Sequence, residues 1–310
     1  MKNHIIMLLG LLVGLELMLW SPFLQGQESY RTVVGFDIYL AGEMNRGHDF
    51  LWEALPERVQ YIQNQLGVNV LTDGEIHLLY ELADYFHQRD MPNRAPTWAK
   101  ALAIPQERLI LLRYQDDTPL KTLTHELSHL AVYEAVNGER VPLWFLEGFA
   151  MLQAEEWGLG RSMSISAAAM FDNTLPFSGL ENRFPSHQFA AGLAYNQSYH
   201  FVHRIIRNYG VSRLGQWLTQ VRQGVPWKAA FTDVYGLSPE SEYESWKGDV
   251  RVWYAWVPAI TSLTTTWTLI GLLVIVSRRS VVARRRQKIE KMAREEQVLY
   301  PPDADDELFS

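Results

Sequence analysis

Thr118-Pro119-Leu120-Lys121-Thr122-Leu123-Thr124-His125-Glu126-Leu127-Ser128-His129-Leu130-Ala131-Val132-Tyr133-Glu134-Ala135-Val136-Asn137-Gly138 reads as a helix with both of its ends marked. Thr118 is an N-cap residue type, Pro119 falls at the first helical position where its missing N–H is not needed, and Asn137-Gly138 stops the run. Inside it, His125 and His129 stand four residues apart, one turn along the same face, so both imidazoles reach one metal ion. Glu126 falls on the flank, where a carboxylate can take a proton from a water activated at that metal. Glu134 shares the helix, but five residues after His129 it is turned away from the metal face. A catalytic metal site of this kind needs a third protein ligand and an open position. The candidate is Glu147, in Trp144-Phe145-Leu146-Glu147-Gly148-Phe149-Ala150, on a helix opened by Pro142 and reaching about Trp157. Two antiparallel helices joined by a short turn bring Glu147 opposite the histidines, and Gly148 and Ala150 are small, as close helix approach requires.

Upstream, Phe50 to Leu66 has helical spacing of apolar residues and ends at Gly67. Val68-Asn69-Val70 and Glu75 to Tyr80 are strand candidates around the Asp73-Gly74 turn, and a short helix from Glu81 to His87 follows. Arg108 to Arg113 is a strand apolar on both faces, hence at least partly covered; it is either an internal strand or an edge to which an extended peptide adds. Downstream, Asn196 to Tyr209, Val211 to Gln223 and Pro226 to Val234 are helical, and Ser238-Pro239 starts a last helix running toward Trp253. Strands come early and helices late. The class is therefore α+β: a small sheet lobe at about 33–136, which includes the histidine helix, then a helical lobe at about 142–252.

The ends are of a different kind. Lys2 is followed by an apolar run from Ile5 to Trp20, which marks residues 1–26 as a signal peptide or signal anchor. A second run, Trp253 to Ser277, holds no charge and is long enough for a transmembrane helix. Trp253, Tyr254 and Trp256 stand at one side; Arg278, Arg279, Arg284, Arg285, Arg286, Lys288, Lys291 and Arg294 follow at the other. By the positive-inside rule that basic cluster stays cytoplasmic, with the 278–310 tail, and residues 27–252 lie outside the cytoplasm. The localisation expected is the cell membrane, single-pass. The 310 residues carry net charge -7, with no cysteine. That balance excludes a protein that works by neutralising nucleic-acid phosphates, and the missing cysteines exclude a disulfide framework, a thiolate metal site and a Cys nucleophile.

The motif pair carries a resemblance. HExxH followed, after 17 intervening residues, by W-x-x-E-G-F-A is similar to the gluzincin zinc peptidases, in their compact peptidase MA-like branch. Ala194-Tyr195-Asn196-Gln197-Ser198-Tyr199 resembles the A-Y-x-Q-S-Y segment of that branch, and the likeness extends over roughly residues 50–250. It implies a zincin-like fold, Zn2+ held by His125, His129 and Glu147, and Glu126 as general base. It also implies a tyrosine aimed at the oxyanion, a role that segment matching gives to Tyr195, with Tyr199 one turn on as the alternative. The metzincin pattern does not apply, because Val132 and Ala135 stand where it has glycine and histidine. The G-x-M-E-N segment of the aminopeptidases has no counterpart near Arg94–Ala103, so an endopeptidase is expected. His200 and His203, three apart, have no acidic partner nearby in sequence and are expected to be packed or solvated rather than a second metal site.

The expectation is thus a membrane-anchored zinc metallopeptidase acting on a peptide or protein substrate, held to the bilayer by one C-terminal span. Two rivals share the scaffold: a tethered binding or assembly module without catalysis, and a non-peptidase zinc hydrolase.

Overall fold

The computed structural model describes residues 30–41, 48–87, 99–156, 165, 168, 173–261 and 263–299. The chain divides into two units, Met1–Asp249 and Val250–Ser310.

In the first unit five strands form one mixed sheet: β1 (Arg31–Val33), β2 (Phe36–Leu40), β3 (Gly74–Leu79), β4 (Ala101–Ile104) and β5 (Leu109–Arg113), in the order β1-β2-β3-β5-β4. β2, β3 and β5 run parallel, and β1 and β4 are antiparallel at the two edges. Phe36, Ile38, Ile76, Leu78, Ile110 and Leu112 are buried along one face, alternating as a pleated strand requires. That face is covered by helices α1 (Asp49–Leu66) and α3 (Pro119–Ala135). On the other face Leu79, Leu109 and Leu111 pack with Leu82, Tyr85 and Phe86 of the short helix α2 (Leu82–His87). β5 is therefore internal and covered on both sides, and the edge facing solvent next to α3 is β4, not the 108–113 strand. Val68–Val70 is not a strand. The chain there is irregular and turns through Leu71, held in the left-handed region at φ 60°.

The marked helix ends hold. α1 stops at Gly67 with φ 70°, and α3 begins after Thr118 with Pro119 in its first turn. Thr118 caps without its side chain; the Asp116 carboxylate accepts the Thr118 N–H instead, at 3.1 Å. The far end of α3 is moored by Glu134, whose carboxylate accepts the Leu71 N–H at 2.7 Å and pairs with Arg108 Nε at 3.3 Å. Glu134 thus ties α3 to the sheet and points away from the histidines, as the spacing predicted.

The helical part contains α4 (Leu143–Gln153), α5 (Ser178–Glu181), α6 (Gln188–Arg222), α7 (Trp227–Tyr235) and α8 (Pro239–Thr261) among the described residues. α4 packs between α3 and α6. Trp144, Phe145 and Phe149 of α4 are fully buried, and the Trp144 ring stacks on Trp217 at 6.3 Å with 4° between planes. Burial of each such side chain contributes roughly 1.5–3 kcal/mol. α6 starts eight residues before the expected Asn196, and the two expected helices on either side of Gly210 are its two halves, broken at φ 80°, ψ 163°. Gly148 on α4 meets α6 rather than α3: a Cβ there would lie 2.3 Å from the Ser198 carbonyl oxygen.

In the second unit, α9 (Leu263–Leu299) contains Thr266–Met292, which is long and apolar enough to cross a membrane by length and composition, its most apolar 18 residues having a mean hydropathy of 1.4. It overlaps the expected 253–277 span from Thr266 to Ser277. The N-terminal run of 1–26 lies outside the described residues.

The Gly148 contact yields a paired prediction. Gly148→Ala should lower the thermal midpoint and cost about 1–3 kcal/mol, because the Ser198 backbone cannot step aside. Gly248→Ala, at a helical glycine with open space around its Cα, should raise stability by up to about 1 kcal/mol. Thermal or denaturant unfolding of both variants checks this, and equal stabilities would contradict it.

Candidate metal centre

His125 and His129 project from the same face of α3, ring centroids 4.8 Å apart and nearly perpendicular at 76°. Glu147 comes to them from α4. Its Oε2 lies 3.6 Å from His125 Nε2 and 3.9 Å from His129 Nε2. One ligand atom from each of the three residues lies within 4.8 Å of the others, and they form the group able to hold a metal among the described residues. Tetrahedral ligands at zinc bond lengths of about 2.0–2.1 Å stand about 3.3 Å apart, so the donor set fits a zinc ion with small adjustments. Two imidazoles and one carboxylate also leave a fourth position open, the pattern of a catalytic site.

The tautomer of His125 follows from a residue that the sequence reading did not single out. Glu156 Oε1 lies 2.9 Å from His125 Nδ1. A carboxylate accepts, so Nδ1 carries the proton and Nε2 is left as the ligand atom facing Glu147. Glu156 reaches this place because α4 ends at Gln153, short of the expected Trp157, and the chain turns back through Glu155 in the left-handed region at φ 53°. That turn is gripped from two sides. Lys121 Nζ on α3 donates to the Glu155 carbonyl at 3.0 Å, and Arg58 on α1 stands 3.6 Å from its carboxylate. Nothing in the spacing of an apparently continuous helix signals such a reversal.

Electrostatics reflect the crowding of carboxylates. Burial by itself lowers the His125 pKa, but the Glu147 and Glu156 carboxylates beside it, with the charge of Glu126, outweigh burial and raise it to about 10. Burial likewise opposes ionisation of Glu147, and the two histidines hold its carboxyl below the usual range. A positive charge at this point is strongly favoured, whichever cation provides it.

Glu126 lies beside the cluster, and its Oε2 accepts the Ala103 N–H of β4 at 2.8 Å. The register explains why that N–H is available. The Arg113 N–H donates to the Lys100 carbonyl at 2.9 Å, so by alternation Leu102 and Ile104 bond to β5, while Ala101 and Ala103 turn their N–H and C=O groups to the open edge. A cleft of about 880 Å³ runs along this edge, and His125, Glu126, His129, Glu147, Glu156 and Tyr195 line it.

Tyr195, on α6, faces the cluster across the cleft, its ring edge-on to Phe184 at 4.9 Å. Burial, then the charges of Glu147, Glu156 and Glu126, push its hydroxyl up to about 12, so it remains a proton donor near neutral pH. Tyr199 is not among the residues lining the cleft; its ring stacks along His203, 6.2 Å between centroids. His200 and His203 gather no carboxylate into a metal-holding group among the described residues.

With this geometry in place, the relationships of the chain are clear. The profile of the Peptidase MA superfamily matches residues 85–252, more than half of the chain, and the chain belongs to that superfamily. Among solved structures, the chain is similar to a point mutant of the M1 zinc metallopeptidase from Deinococcus radiodurans, with a TM-score of 0.45, 16% identity, and coverage of 71% of this chain and 49% of that one. The unaltered Deinococcus radiodurans enzyme gives a TM-score of 0.43 with the same identity and coverage. This chain spans about half the length of those proteins. No curated protein matches it.

The Glu156 contact predicts a graded metal response. Glu156→Gln should weaken zinc affinity by about 10–100-fold without abolishing it, since it perturbs the orientation of one ligand. Glu57→Gln, exposed on α1 and away from the cluster, should leave zinc affinity at the wild-type value. Competition titration with a chromophoric chelator distinguishes them, and an unchanged affinity for Glu156→Gln would contradict the assignment.

Proposed function

We propose that this chain is a membrane-anchored zinc metallopeptidase, an endopeptidase whose catalytic domain, residues 27–252, lies outside the cytoplasm. The observation that carries the reading is the convergence of the His125, His129 and Glu147 ligand atoms beside Glu126 in a cleft bounded by an open strand edge.

In this reading His125, His129 and Glu147 hold the zinc, and Glu156 fixes the ring of His125. Zinc, when bound, supplies Lewis-acid polarisation of the scissile carbonyl and eases deprotonation of a water. Glu126 accepts the proton of the attacking water and hands it to the nitrogen of the leaving amine, so it ends the cycle as it began it. The Tyr195 hydroxyl donates to the oxygen of the carbonyl as negative charge develops there, a contact worth about 10²–10³ in rate. The Ala101 N–H and the C=O groups of Ala101 and Ala103 face the open edge and offer an extended peptide a strand to pair with, beside the Ala103 N–H that Glu126 holds, and the small side chains leave the floor of the cleft free. The cleft reaches from Thr122, before the histidines, to Val136 and Val141, beyond them. Chain on both sides of the cleaved bond can therefore be accommodated, which supports cleavage within a peptide.

Glu126→Gln separates catalysis from metal binding. It keeps the size and the hydrogen bond but cannot serve as a base, so peptide hydrolysis should fall by about 10²–10⁴-fold while zinc is retained. His129→Ala and Glu147→Ala should instead lose zinc. Metal analysis beside cleavage of a peptide found by proteome-wide profiling reads both; a zinc-loaded Glu126→Gln that cleaves at the wild-type rate would sink the reading.

The anchoring part of the proposal rests on the apolar run at 253–277 and on the eight Lys and Arg residues between Arg278 and Arg294 that follow it. A reporter active only in the cytoplasm should work when fused after Ser310 and stay silent when fused after Gln223. The opposite pattern would reverse the orientation.

A further inference from the structure

Two cations line the cleft, and they are in different states. Lys100 is committed: its Nζ lies 2.8 Å from Asp116 and 3.9 Å from Asp117. Arg140 is not. It follows the turn at Asn137 and Gly138, both in the left-handed region at φ 54° and 77°, and stands exposed at the rim. Its Nη2 donates to Asn182 Oδ1 at 2.6 Å, a neutral partner, and no carboxylate among the described residues compensates its charge. Glu139, beside it in the chain, lines the same rim and makes no ion pair with it. One hydrogen bond to Asn182 orients the guanidinium and leaves its other donors facing outward.

We propose that Arg140 determines specificity by receiving a carboxylate of the bound peptide at this rim, an assignment that rests on the peptidase reading above. The charge layout of the cleft favours that spot. Near the histidines an anionic group meets Glu126, Glu147 and Glu156. At the rim it meets a guanidinium whose planar fork matches a carboxylate. The wall between the two regions is apolar, made by Tyr133, Val136, Val141 and Leu146, which reduces screening along the path. Val136 lies seven residues beyond His129, about 10 Å along the helix axis. An extended peptide advances about 3.3 Å per residue, so the carboxylate belongs about three residues from the cleaved bond. An acidic side chain and a free peptide C-terminus both present that group.

The test uses the full-length, zinc-loaded chain and matched peptide pairs built on a profiled cleavage sequence. One set exchanges Asp for Asn or Glu for Gln at the third residue on either side of the cleaved bond. The other exchanges a C-terminal acid for its amide at the same distance. The wild type should favour the carboxylate member of at least one set by about three- to tenfold in kcat/KM, less at high salt. Whichever set responds identifies the source of the carboxylate. Arg140→Gln should erase the preference, Arg140→Lys should keep part of it, and Arg140→Glu should turn it toward a Lys-containing peptide. Pairs that differ by the same single exchange within unselected peptides are also titrated against zinc-loaded Glu126→Gln, where binding is read without turnover and no cleavage sequence is needed. Discrimination there in a chain whose wild type cleaves nothing would defeat the peptidase reading and uphold Arg140. No discrimination by the wild type in either assay, or a preference that survives Arg140→Gln, overturns the proposal.

Discussion

No side chain fits between Gly148 and the Ser198 carbonyl, and the arrangement of the site depends on that contact. It brings the backbones of α4 and α6 together directly after Glu147 and three residues after Tyr195. The wall that carries the third ligand and the wall that carries the phenol are therefore fixed to each other before any metal or peptide arrives. The stacked and edge-on aromatic rings around Trp144 and Phe145 hold the same pair of helices from the interior. The histidines are fixed independently, through the mooring of α3 to the sheet by Glu134. The cluster thus forms where two packed groups of elements meet, one joined by backbone contact and the other by a part-buried carboxylate.

The second feature of the site is concentrated negative charge. Glu126, Glu147 and Glu156 surround two imidazoles in a largely buried space, and each carboxylate already has a donor or cationic neighbour within the protein: Ala103 for Glu126, the histidines for Glu147, His125 for Glu156. Such an arrangement is tolerated because the partners are preorganised; without them the like charges would repel at short range. The rise of the His125 pKa and the fall of that of Glu147 are two aspects of this balance. A divalent ion held by the three residues would relieve it further, and its binding would then be coupled to folding of the region.

The sequence discloses the parts of this structure that are specified locally. The two ends of α3, the glycine that ends α1 and the break at Gly210 are each written in a single residue type with a definite backbone preference, and the structure has all of them. The spacing of His125 and His129 and the short return to Glu147 are legible because helix periodicity makes them so. What was not legible depends on distant partners. β4, Ala-Leu-Ala-Ile, is apolar at every position, so no polar–apolar alternation marks it, and it is a strand because β5 pairs with it. Arg108 to Arg113 reads equally as an edge or an interior strand until its two neighbours are known. Val68–Val70 has strand-like composition, but the need to deliver the Leu71 N–H to Glu134 overrides it. Glu156 acquires its place from a left-handed residue stabilised by Lys121 and Arg58, both far away in the chain.

The alanines of β4 divide the labour of recognition. Methyl groups at 101 and 103 offer a ligand little to grip beyond the main chain between them, and main-chain hydrogen bonds are the same for every amino acid except proline. For a chain that takes peptides as proposed, the floor of the cleft would be indifferent to sequence, and discrimination would fall to its walls and rim. Under that proposal, what such a protein accepts would change with a few peripheral side chains while the floor and the His125, Glu126, His129 and Glu147 cluster remain as they are.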